Sequence, residues 1–596
     1  METYENLVEM FEKSAKKYAD RPLFGVKKNG TYQWITYREI AKQVDEFRAG
    51  LAALGVGPGD KVSVIADNRP EWAIAAYATY GLGAQYVPMY EAQLPKEWEY
   101  ILKDCGAKVL LVANDKIDEK CRPMLAANGG VETLQHVINM NGKTDDATSF
   151  KGVAELGKKN PSPSVKPKPQ DICGFIYTSG TTGNPKGVLL THRNITSNIN
   201  AVHQIFPMAV DDVSLSFLPW AHSFGQTVEL HCMLSYGASM GLAESVATII
   251  DNLAEVKPTL LFSVPRIFNR IYDGVNKKMQ EAGGLKLKLF NRMLAVAKEK
   301  KELEAANKSS FVTNLQFKVL DKLVASKVRA RFGGRLKYAF SGGAALSKDV
   351  GEFIDNLGIT VYEGYGLTET SPIATANSPL GRKIGSIGRA IPEVRIEIEP
   401  VDVAPEGQGE IIIYGPNVML GYHNLPEETA QAFNAKGGFR SGDMGRTDSE
   451  GFVYITGRVK EQYKLENGKY VAPAPLEEKL RLSPYIANIM VDGTNRPFNV
   501  AVIVPDFESL KAWAKSSGIS FVANEDLVAK SEVIKLISGE IAKYGSEFKG
   551  FERPEKFVLA TEDFSTENNM LTPSLKVKRR NVMAKYGDQL ARLYKA

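Results

Sequence analysis

Residues 177–187 read Tyr177-Thr178-Ser179-Gly180-Thr181-Thr182-Gly183-Asn184-Pro185-Lys186-Gly187, a run of hydroxyls and glycines ending on one lysine. Glycines let backbone N–H groups close around an anion, hydroxyls add donors, and an ammonium supplies a full charge, so the chemistry is that of a phosphate site. Apolar runs at 172–177 and 188–190 flank it, with Thr191 placed as a helix N-cap, which predicts an exposed loop between two strands. Pro185 keeps the loop from winding into helix. A Walker A loop would need a hydroxyl after the lysine and a helix at once; here Gly187 follows.

Four further stretches carry chemistry. Ser341-Gly342-Gly343-Ala344-Ala345-Leu346 follows an apolar run at 337–340, the strand-to-helix turn at which open α/β sheets bind ligands. Some twenty residues on, Tyr362-Glu363-Gly364-Tyr365-Gly366-Leu367-Thr368-Glu369-Thr370 offers the Tyr365 ring for stacking on a purine. Its Glu369 is a hard oxygen ligand suited to magnesium beside phosphates; helix capping is the competing role. Ser441-Gly442-Asp443 places a carboxylate that can grip ribose hydroxyls or simply close a turn. Leu571-Thr572-Pro573-Ser574-Leu575-Lys576-Val577-Lys578-Arg579-Arg580 ends in four cations within five residues, which on charge alone is a solvated basic segment.

In this order the elements closely resemble the adenylate-forming (AMP-binding) superfamily of acyl-CoA synthetases, peptide-synthetase adenylation domains and beetle luciferases, and most of all long-chain fatty acyl-CoA synthetases. The resemblance spans essentially the whole chain. It implies ATP contacts from Thr178, Ser179, Gly180, Thr181, Thr182, Gly183, Lys186, Gly342, Gly343, Ala344, Glu363, Gly364, Tyr365, Gly366, Thr368, Asp443 and Arg458. Magnesium would fall to Glu369 and Thr181. Lys576 matches the terminal catalytic lysine, although Leu575 stands where many members have glycine; the Thr-Pro-x-x-Lys form is that of the long-chain branch. His222, in Trp220-Ala221-His222-Ser223-Phe224-Gly225, aligns with a position beside the acyl carboxylate; taken alone it would be a core histidine. Catalysis is thereby assigned to Lys576, Lys186 and His222. The implied reaction converts a fatty acid to an acyl-adenylate with ATP and then to a thioester with coenzyme A, the small domain closing and turning about Lys460. Transfer to a separate carrier protein, luciferase-like oxygenation and a non-catalytic lipid- or nucleotide-binding role remain alternatives.

The elements that must hold these residues follow from length and texture. At 596 residues the chain exceeds one hydrophobic core. Amphipathic helices are expected at 6–18 and 37–54 and strands at 62–66 and 85–89, and helices and short apolar strands go on alternating to about 400, the pattern of a parallel α/β sheet. Short glycine-separated strands at 384–389, 394–398, 410–414 and 452–455 then suggest a β-rich subdomain. The expected class is α/β: a large N-terminal domain of α/β subdomains with that β-rich part at 1–459, and a small mobile α+β domain at 460–596. Cys105, Cys121, Cys173 and Cys232 are scattered with no CxxC, against zinc or a disulfide framework and in keeping with a reducing, cytoplasmic setting. The uncharged window 72–90 is rich in Ala, Gly, Tyr and Thr and reads as a buried helix, a turn and a strand rather than a membrane span. Segment 277–335 holds 15 Lys+Arg against 5 Asp+Glu, a balance of +10, and has helical periodicity; the rest of the chain is at −5. Such helices either pack by their apolar faces as solvated structure or lie on an anionic surface. Fatty acid, ATP and coenzyme A are the expected partners and nucleic acid is not; membrane contact and homodimerisation are left open.

Overall fold

Runs such as Val109–Val112 and Leu260–Ser263 are buried at every residue, as befits strands covered on both faces. The computed structural model, which describes residues 2–143, 146–178, 184–401, 406–572 and 575–595, gathers them into two large sheets. In the seven-stranded sheet Ile172–Thr178, Gln85–Met89, Lys61–Ile65, Val109–Val112 and His136–Asn139 run parallel; the antiparallel strands Lys186–Thr191 and Gly421–Tyr422 close one edge. The nine-stranded sheet has a parallel centre that includes Val213–Ser216, Leu260–Ser263, Tyr338–Ser341 and Thr360–Gly366, with antiparallel strands at both edges.

The amphipathic helices form where the sequence placed them, Leu7–Lys17 capped by Asn6 and Tyr37–Ala53 opened by a Thr36–Glu39 capping box. The uncharged window becomes helix Pro70–Tyr80, a turn and strand Gln85–Met89. Among the described residues no helix is long and apolar enough to cross a membrane.

The chain divides into two compact units. The first takes in both large sheets; the second comprises residues 397–412 and 440–595 within the described set. The β-rich texture resolves into a sheet ordered Arg395–Pro400, Gly409–Tyr414, Phe439–Thr447, Val453–Arg458. The strand expected at 384–389 shrinks to Arg389–Ala390, because Gly385 and Gly388 take positive φ (86° and 82°) and turn the chain. A Cβ on Gly388 would lie 1.9 Å from the Ala376 carbonyl carbon, so the turn is tied to glycine. Further on, Ile486–Asp492, Asn499–Pro505 and Pro554–Leu559 form a three-stranded sheet. Its alternation puts Ile489 and Ile503 in one core with Leu510 and Ile537, and Met490 and Val502 in another with Val582 and Tyr586. The α+β character expected of the C-terminal part is present.

Candidate active site

Thr178 and Lys186 are register partners at the mouth of an antiparallel hairpin, Ile172–Thr178 with Lys186–Thr191. Lys186 is therefore the first residue of a strand rather than a loop residue. Ser179, Gly180, Thr181, Thr182 and Gly183 lie outside the described residues. The glycine after the lysine has a packing reason: Gly187 is paired with Tyr177, and a Cβ there would come 2.9 Å from the Tyr177 ring. That ring is fixed by its hydroxyl, which donates to Asp104 Oδ2 at 2.6 Å.

Beside the hairpin, strand Gly421–Tyr422 pairs with Lys186–Thr191 and brings Tyr422 into the site. The Tyr422 hydroxyl donates to Glu369 Oε1 at 2.8 Å, and Lys186 Nζ lies 5.2 Å from the centre of its ring. Burial, with the Glu369 charge, raises the Tyr422 phenol far above its ordinary value, so it stays a donor. Glu369 sits in the single turn Thr368–Thr370, whose backbone is held by Met419 N donating to Glu369 O (2.8 Å) and by Asn417 Nδ2 donating to Thr370 O (3.2 Å). Sequence reasoning passed over Tyr422, and nothing in its spacing marks it; only strand pairing across some 230 residues brings it to Lys186.

Among the described residues no three His, Cys, Asp or Glu side chains are grouped to hold a metal ion. One half-buried carboxylate is nonetheless a fitting donor for magnesium, which keeps several of its ligands as water and phosphate oxygens. Glu369 is the residue that would hold it.

The glycine turn lies at the carboxyl ends of parallel strands, where Ser341 stands level with Glu363. Gly343 takes φ 80°, and a Cβ on Gly342 would meet the Phe224 ring at 3.3 Å, so the 342–344 turn runs close to the His222 loop. Glu363 accepts from Leu346 N at 3.3 Å and is buried, while the neighbouring Ser341 hydroxyl is buried with no hydrogen-bond partner among the described residues. The segment Gly364 to Thr368 continues from there, Gly364 to Gly366 pairing with Ile373–Ala376 and the Thr368 hydroxyl lying 3.3 Å from that of Ser223. His222 Nδ1 accepts from Phe224 N at 3.1 Å, which leaves the neutral ring with its proton on Nε2.

The helix after His222, Phe224–His231, carries a second group that sequence reasoning missed. Glu229 is buried and bound through its two oxygens to Ser214 and Ser216, each at 2.8 Å; Ser216 Oγ in turn accepts from Asn68, which accepts from Trp220 N. This network ties the His222 loop to strand Val213–Ser216. Burial pushes the Glu229 carboxyl up to about 8 against an ordinary 4.5. The folded chain therefore keeps this proton while the unfolded chain loses it, and stability falls as pH rises between those values, by up to about 1.4 kcal/mol per pH unit. Glu229→Gln is expected to melt like the parent at pH 5 and higher than the parent at pH 9. Thermal unfolding at both pH values checks this, and equal differences at the two would refute it.

The remaining candidates lie in the second unit. Asp443 and Arg458 are opposite each other on paired strands, with Arg458 Nε 2.9 Å from Asp443 Oδ1. The turn before them is held by Glu410, which accepts from Gly442 N (3.0 Å) and Arg440 (2.7 Å). Lys460 is exposed in the one-turn helix Val459–Glu461. The basic segment near 576 is not a solvated tail. An antiparallel bridge joins Leu571 to Val577, Arg579 is ion-paired with Glu477 at 2.7 Å, and Lys578 Nζ donates to Asn569 at 2.7 Å. Lys576 is exposed, its backbone locked to Thr572 in both directions. Leu575 takes φ 61°, the left-handed conformation that glycine adopts freely and that costs other residues about 1 kcal/mol.

Two large, mainly parallel sheets with a Gly-Gly turn and a Tyr-Gly-x-Thr-Glu turn at their strand ends make the first unit an α/β body. The chain matches the AMP-binding enzyme model over residues 11–423 and the AMP-binding enzyme C-terminal domain model over residues 460–596, and it belongs to the AMP-binding enzyme family. It is 32% identical to the long-chain-fatty-acid–CoA ligase FadD15 of Mycobacterium bovis, covering 95% of this chain and 93% of that protein. Against long-chain-fatty-acid–CoA ligase 1 of Homo sapiens the identity is 31%, over 99% and 86% respectively. Among solved structures, the adenylation domain of a carboxylate reductase from Mycobacterium chelonae superposes with TM-score 0.77 at 23% identity, over 99% of this chain and 91% of that one. ATP-bound MatB from Rhodopseudomonas palustris gives 0.72 at 21%, over 98% and 100%. At those identities the likeness is one of fold.

Proposed function

We propose that the chain is an ATP-dependent fatty acid–CoA ligase, acting on long-chain acids through an acyl-adenylate. The observation that carries this reading is the Lys186–Tyr422–Glu369 arrangement, which sets an ammonium and a carboxylate around one tyrosine at the mouth of the hydroxyl-glycine hairpin. Near 30% identity to long-chain ligases over almost the full length supports the choice of substrate.

A carboxylate is a poor electrophile, so its oxygen first attacks the α-phosphorus of ATP and the bond to pyrophosphate breaks. Lys186 balances charge on the departing phosphates, and Lys576 does so at the α-phosphate. Magnesium, held at Glu369 with the phosphates, would supply further charge neutralisation. His222, with its proton on Nε2, donates to the acyl carboxylate; the Gly342, Gly343 and Ala344 turn and Tyr365 receive adenine, and Asp443 with Arg458 holds ribose. Coenzyme A then attacks the acyl carbonyl carbon through its thiolate, and AMP leaves. Because Lys576 serves only the first step, the small C-terminal domain, 460–596, closes for adenylation and turns about Lys460 for thioester formation.

A panel of acids of increasing length, read by ATP–pyrophosphate exchange and by AMP release with coenzyme A, tests the reading. Exchange and thioester formation that rise with chain length support it. Exchange limited to short or aromatic acids overturns the substrate, and adenylation without transfer to coenzyme A overturns the acceptor.

A further inference from the structure

Helix Phe311–Leu320 is apolar on two sides. Its inner side packs on helix Gly284–Ala305: Thr313 and Leu320 are buried, the Thr313 hydroxyl donates to Glu299 (2.7 Å), Arg292 donates to Gln316 (2.6 Å), and Lys300 lies over the Phe317 ring. The other side presents Phe311, Val312, Leu315 and Val319 within an arc of roughly 100°, and Leu323 continues it one turn on. These five side chains are between 48% (Leu323) and 81% (Phe311) exposed, where a solvated helix would put polar groups. The periodicity read from the sequence runs through Phe317, Leu320, Leu323, Val324 and Val328; of these only Leu323 belongs to the exposed stripe, whose other members stand outside that pattern.

Lys308 on the approach to this helix, Lys318 on it and Lys322 in the turn Asp321–Ala325 that follows are exposed, and none forms an ion pair among the described residues. The acid nearby, Asp321, is already paired with Arg329 at 2.7 Å. An apolar stripe edged by unpaired lysines, in a segment of balance +10, matches the polarity profile of an anionic bilayer surface. A second copy of the chain would bring the same positive charge against it.

We propose that this face docks on anionic lipid, with the five apolar side chains entering the interface and the three lysines meeting the headgroup anions. The proposal stands apart from the reaction above, since vesicle binding is read without ATP, coenzyme A or acid. Sedimentation of the full chain with vesicles of equal phosphatidylglycerol and phosphatidylcholine should show binding that weakens with salt and is absent with phosphatidylcholine alone. Leu315→Glu with Val319→Glu should abolish it. Lys318→Gln with Lys322→Gln should weaken it about thirty-fold, at about five-fold per lysine. All four positions are exposed, so thermal unfolding should be unchanged; should the glutamate pair fail to fold, the lysine pair gives the same reading. Equal binding to neutral vesicles, binding that survives both pairs of changes, or self-association in sedimentation velocity without vesicle binding would overturn the proposal.

Discussion

Lys576→Ala is expected to lower fatty-acid-dependent ATP–pyrophosphate exchange by about a hundred- to a thousand-fold, the effect of deleting one well-placed charge at a transition state. Thioester formation from supplied acyl-AMP and coenzyme A should remain close to that of the parent, because no pyrophosphate departs in that half-reaction. The structure supplies the control. Lys578 is two residues away and equally cationic, but its ammonium is committed to Asn569, so Lys578→Ala should leave both half-reactions nearly intact. Removing Lys576 does not touch the Leu571–Val577 bridge or the Arg579–Glu477 pair that shape the segment, so a folding defect is not the expected cause of any loss. Equal loss of both half-reactions would remove Lys576 from its assigned role.

Glu369→Gln should cut adenylation about a hundred-fold or more and raise the magnesium concentration needed for half-maximal exchange, since an amide keeps the shape of the carboxylate without its charge. The amide oxygen introduced by that change could still accept from Tyr422, so the backbone contacts of the turn with Met419 and Asn417 should persist. Tyr422→Phe keeps the ring beneath Lys186 and removes only the hydroxyl that orients Glu369. It should cost about ten-fold, the scale of losing a hydrogen bond to a metal ligand, again with a raised magnesium requirement. A magnesium titration of exchange on both variants checks this; unaltered half-saturation in Glu369→Gln would dismiss the carboxylate as the metal's ligand.

Much of this was legible in the sequence wherever local pattern and tertiary position coincide. The hairpin strands that flank the hydroxyl-glycine run, the helix-turn-strand from Pro70 to Met89 and the Gly-Gly turn after Tyr338–Ser341 all follow from apolar runs broken by glycine. Reading failed where position is set by partners remote in sequence. Residues 384–389 have strand-like composition, but close approach of Gly388 to Ala376 turns them. Tyr422 is one aromatic in a turn-rich stretch until Lys186–Thr191 pairs with it. Glu229 looks like the polar face of a helix, and only Ser214 and Ser216 at the end of a neighbouring strand make it an interior carboxyl. In the Lys576 segment, charge pattern alone suggested solvent, whereas Glu477, the half-buried partner of Arg579, comes from a helix about a hundred residues earlier.

The hairpin register carries a consequence for how this site tolerates change. Lys186 is aimed by its pairing with Thr178, and in a strand each successive side chain points to the opposite face. Deleting one residue such as Leu189 while the downstream pairing holds would invert every upstream position, turning the lysine to the wrong side of the sheet and Gly187 off the Tyr177 ring. Substitution is thus a graded injury here, but a frame of one residue is absolute: the site is indexed by counting along the strand as much as by the chemistry of what it displays.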